Sequence, residues 1–70
     1  MPLTRDQALE KARQAVLAAG WPWDEPAEAH YHSGRLAWEV FTNTHEKGAR
    51  ARVVLHAETG EVLEKGFIPR

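Results

Sequence analysis

The hydrophobic pattern changes its period near Pro26, and that change limits the chain to one class of fold. Before it, Leu9, Ala12, Val16 and Ala19 recur at helical spacing, with Ala8 and Ala15 widening the stripe. Glu10, Lys11, Arg13 and Gln14 face away from it. After Pro26, apolar and polar residues alternate, the period of a strand with one buried face. One helix followed by several short strands predicts an α+β fold, with the N-terminal helix packed on a three- to four-stranded antiparallel β-meander.

The ends of the helix are written in local chemistry. Thr4 is a good N-cap, Gln7 stands where a capping box needs it, and Leu3 with Ala8 has the spacing of a hydrophobic staple. Gly20 is placed to be a left-handed C-cap, Trp21 to fold back on the last turn, and Pro22 to prevent continuation. Pro22 and Pro26 stiffen the connector that follows, whose tryptophans are expected to cap one end of the core.

Four strands are expected. Ala27 to His32 places Ala29 and Tyr31 on one face and Glu28, His30 and His32 on the other. Ser33-Gly34 reads as a tight hairpin turn, and Arg35 to Thr42 as a second strand with Leu36, Trp38 and Val40 inward. After a polar loop over Asn43 to Gly48, the third strand, Ala49 to Ala57, turns Ala51, Val53 and Leu55 inward. Glu58-Thr59-Gly60 suits a bulged hairpin with Gly60 left-handed, which would set Leu55 opposite Leu63 and put Val62 outside with Val54 and Phe41. The fourth strand runs from about Glu61 to Phe67. The expected core is Leu36, Trp38, Val40, Val53, Leu55 and Leu63 against Leu9, Ala12 and Val16.

Size and composition narrow the chemistry. A chain of 70 residues, read as one domain over 1–70, buries about 60% of its unfolded surface, so the tryptophans supply core area that is otherwise scarce. Without cysteine there is no disulfide, thiolate metal site or cysteine nucleophile. A formal charge of −1 gives no pull toward nucleic acid, and no apolar run approaches the roughly 20 residues that span a bilayer. The start, Met1-Pro2-Leu3-Thr4, reads as the beginning of a helix rather than a secretory leader, so the chain as written is expected in the cytoplasm, or exported if a leader precedes it.

No catalytic, cofactor-binding or metal-binding set is expected. His30 and His32 share a strand face, but His56 is two strands away, about 10 Å at the usual strand spacing. Ser33 sits in a turn, and Asp24 with Glu25 lies in a loop without a concave wall. Arg35, Arg50 and Arg52 beside Phe41 could make a single-strand nucleic-acid platform, although Glu39 and Glu64 share that face and cross-strand ion pairs are the simpler reading. Phe41, Val54 and Val62, flanked by Arg50 and Arg52, are the expected partner-binding surface; an open sheet edge is the alternative.

Leu36-Ala37-Trp38-Glu39-Val40 after a hairpin glycine, then Val53-Val54-Leu55-His56-Ala57-Glu58-Thr59-Gly60-Glu61-Val62-Leu63, resembles a PepSY domain over roughly Ala8 to Leu63. The family's usual ending is an apolar strand followed by Asp-Ala-x-Thr-Gly-x-Val-Leu; here His56 stands in place of the aspartate. The resemblance implies a small non-enzymatic module, found in peptidase propeptides and as standalone or tethered units, commonly exported and proposed to restrain peptidases. The expected partner is then a protein or peptide, met as a monomer or as a weak homodimer formed through a sheet edge. A small bacterial immunity or antitoxin-like protein that binds a toxin is the alternative, and a weak nucleic-acid platform the second.

Overall fold

The structure, a computed structural model, describes residues 2–44 and 49–68. Helix α1 spans Arg5–Ala18 and is followed by strands β1 (Glu28–His32), β2 (Ala37–Phe41), β3 (Arg50–His56) and β4 (Val62–Ile68). The strands pair antiparallel in sequence order, β1-β2-β3-β4, so β1 and β4 are the edges. This is the α+β architecture that the change of period implies. Part of the polar loop expected over Asn43 to Gly48, and Pro69 and Arg70, lie outside the described residues.

Both ends of α1 form as their sequence dictates. The Thr4 N–H donates to Gln7 Oε1 at 2.9 Å, and the Gln7 N–H donates to Thr4 Oγ1 at 3.1 Å, closing the capping box. At the other end Gly20 is left-handed, with φ +83°. The Trp21 N–H reaches the Val16 carbonyl at 3.1 Å and the Gly20 N–H the Leu17 carbonyl at 3.0 Å, a Schellman cap that turns the chain toward the sheet.

Ala8, Ala12 and Val16 of α1 meet Val40, Ala51, Val53 and Leu55 of the sheet to form the buried core. The small helix residues let backbone approach backbone closely, and larger side chains fill the margin: Leu9, Trp21, Trp23, Trp38 and Phe67 pack around the centre. Trp21 stacks on Phe67 with ring centroids 5.7 Å apart, closing one end of the core. The connector is strapped down. The Asn43 N–H donates to the Asp24 carbonyl at 2.9 Å, and the Thr44 N–H to the Pro26 carbonyl at 3.2 Å.

Two expected core residues lie elsewhere. The first hairpin is not a two-residue turn: His32 pairs with Ala37, leaving a four-residue loop, 33–36, with Leu36 in the left-handed position at φ +51°. Leu36 is therefore 48% exposed. Lengthening the loop by two residues preserves side-chain parity, so Tyr31 still faces inward opposite Trp38 and Ala29 opposite Val40. In the second hairpin the His56 N–H donates to the Glu61 carbonyl at 2.8 Å, which carries Leu55 onto Val62 rather than Leu63. A bulge follows: Val54 pairs with Glu64, and Leu63, the extra residue, is 45% exposed.

Candidate functional site

α1 covers one face of the sheet; the opposite face carries most of the chain's organised polar chemistry. Strand pairing sets it out in rows. His30, Glu39, Val54 and Glu64 form one row across all four strands, and Glu28, Phe41, Arg52 and Gly66 form the next. His32, Ala37 and His56 lie on one side of these rows, and Arg50 opposite Ile68 on the other.

Opposite charges in adjacent rows pair into one network. Arg52 donates to Glu39 Oε2 through Nε at 2.8 Å and lies 2.7 Å from the same oxygen through Nη2, so two guanidinium nitrogens converge on one carboxylate oxygen. His32 Nε2 is 3.0 Å from Glu39 Oε1, Arg35 Nη2 donates to Glu64 Oε2 at 3.1 Å, and Arg52 also approaches Glu64 at 3.9 Å. Five side chains thus join the four strands and the first hairpin loop. Burial raises the Glu39 carboxyl's pKa, but hydrogen bonds from His32 and Arg52, with their charges, outweigh it and hold the group below the ordinary carboxylate value. Such a carboxylate is a fixed anion that ties strands together. The cross-strand Arg–Glu pairing expected of a wet face is thus present, and it engages both Arg35 and Arg52.

The five expected contact residues do not form one patch. Val54 lies between Glu39 and Glu64 and is only 1% exposed, so it offers no surface. Val62, 39% exposed, sits opposite the inward-facing Leu55 instead of beside Val54 and Phe41, because of the hairpin register. Arg52 is committed to the network. Phe41 and Arg50 remain half-buried on the outer face, with Phe41 edge-on to His30 at a centroid distance of 6.3 Å. Ile68, 53% exposed, belongs to this face opposite Arg50. Its membership was legible in the alternation of Glu64, Gly66 and Ile68 once the bulge is allowed for.

The histidines divide by task. His56 Nδ1 accepts from the Glu58 N–H at 3.1 Å and, more weakly, from the Thr59 N–H at 3.4 Å, so it closes the second hairpin as a short acidic side chain could. His32 belongs to the network, and His30 lies 3.9 Å from Glu28. Among the described residues no three His, Cys, Asp or Glu side chains converge as a metal centre. Likewise, no described helix is long and apolar enough to cross a membrane.

No curated protein and no solved structure shows significant similarity to the chain. The family described as peptidase propeptide and YPEB domain, PepSY, matches residues 2–65. That span begins just before the capping box and takes in the helix, β1 to β3, the turns after β1 and β3, and the first half of β4. The chain belongs to the PepSY family.

Proposed function

We propose that this protein is a non-catalytic protein-binding module that restrains a peptidase. The observation that carries the reading is the PepSY match over 2–65, nearly the whole chain, to a family described by peptidase propeptides. Two features of the sheet support it. Among the described residues no element covers its outer face, and its β4 edge presents a seven-residue strand to which an extended segment could add. Phe41 and Arg50 would make the side-chain contacts on the outer face, and Val62, at the start of β4, would contribute only to a contact at that edge.

The test is a peptidase assay with the purified chain and a peptidase encoded beside it. Micromolar protein should slow hydrolysis, and Phe41→Glu should weaken inhibition at least tenfold with an unchanged melting temperature. Full inhibition by Phe41→Glu would remove the outer face from the contact. No inhibition by the native chain would end the peptidase reading.

A further inference from the structure

A groove runs between α1 and the Trp23–Ala27 part of the connector. It has a volume of about 330 Å³, at the small end of ligand-sized pockets. Asp6, Leu9, Glu10 and Arg13 supply the helix wall, since residues at this spacing share one stripe. Trp23, Glu25 and Pro26 supply the facing wall. We propose that this groove receives a lysine or arginine side chain of the protein partner. The proposal rests on the protein-binding reading above and adds a second contact, to which Phe41 contributes no lining.

Charge and shape select that occupant. Leu9, Trp23 and Pro26 give an apolar lining for an aliphatic stem, and the Trp23 ring is a partner for a cation. Three carboxylates, Asp6, Glu10 and Glu25, stand around the groove against one guanidinium, Arg13. Arg13 is 3.8 Å from Glu10, while Asp6 and Glu25 have no ion pair among the described residues. A purely apolar side chain would leave those charges unused, and an acidic one would be repelled.

The groove is also preformed, which keeps the ordering cost of binding low. Trp23 packs against the core. The Pro26 carbonyl accepts from the Thr44 N–H at 3.2 Å and from Thr44 Oγ1 at 3.4 Å, which fixes the connector wall. The capping box holds the helix wall at its first turn.

Amide and indole NMR titration of the full chain tests the proposal with two tripeptides, acetyl-Ala-Arg-Ala-amide and its isosteric citrulline analogue. The arginine peptide should shift the Trp23 indole and the amides of Asp6 to Arg13, saturating in the millimolar range, on the order of 1 mM. Citrulline should bind at least fivefold more weakly, as should the arginine peptide to the doubly substituted Asp6→Asn, Glu25→Gln chain. Salt should weaken the arginine complex. Equal shifts from both peptides, unchanged binding by the double variant, or no shift at the groove would each overturn it. Phe41→Glu should leave the titration untouched. Groove binding without peptidase inhibition would therefore sink only the proposed function, and inhibition without groove binding only this inference.

Discussion

Leu36 and Gly60 occupy equivalent places, each closing a four-residue hairpin loop in the left-handed region, at φ +51° and +77°. Glycine holds that conformation without strain, whereas a leucine is strained there by about 1–2 kcal/mol. Leu36→Gly should consequently be near neutral, within about 0.5 kcal/mol by chemical denaturation, because strain relief offsets the lost partial burial and glycine's entropy. A buried leucine would cost about 2–5 kcal/mol on truncation, so a loss of that size would return Leu36 to the core. Gly60→Ala should cost about 1–2 kcal/mol. Its new Cβ would lie 2.5 Å from Lys11 Cδ, but that flexible stem can swing aside, so the backbone sets most of the cost.

At the scale of elements, the Glu39-centred network adds side-chain ties across all four strands to the backbone ladders and core contacts that hold them. Glu39 is 19% exposed at its side chain and bonded to both Arg52 and His32, so it is more than a solvated surface pair. Its folded pKa lies below the unfolded one. The ionised form is thus favoured by folding, and the stabilisation is fully present above the ordinary carboxylate pKa. It is lost as pH falls through the lowered folded value. Glu39→Gln should be less stable than the native chain by about 1–2 kcal/mol at neutral pH. Thermal melts over a pH series should show this gap closing below about pH 4, near the ordinary carboxylate pKa. A gap that persists at low pH would assign the loss to packing instead of charge.

At the scale of the molecule, one clasp ties the helix start to the sheet. The Trp38 indole N–H donates to the Leu3 carbonyl at 3.1 Å, and the Leu3 N–H donates to the Ala57 carbonyl at 2.6 Å. Trp38→Phe keeps an aromatic against Tyr31, whose ring centroid is 5.2 Å away, but leaves the Leu3 carbonyl without its donor. It should cost about 1–3 kcal/mol and speed amide exchange in the first turn of α1 more than in β3. Equal acceleration in both would mean that the clasp is not local. How much of this was legible follows from the range of each interaction. The capping box at Thr4, the Gly20 cap, the alanine stripe and the inward alternation of Trp38, Val40, Val53 and Leu55 depend on neighbours within one turn or one pleat, and the chain alone determined them. The Arg–Glu pairing of the outer face could be read from strand parity. Leu36 and Leu63 could not be placed, because hairpin loop length and a bulge are settled by which register buries the better core, a competition among residues distant in sequence. The partnership of Trp38 with Leu3, the burial of Val54 between two carboxylates and the groove beside Trp23 likewise exist only once helix, connector and sheet are packed together. Tertiary structure decided those, because each is a contact between elements that no local period encodes.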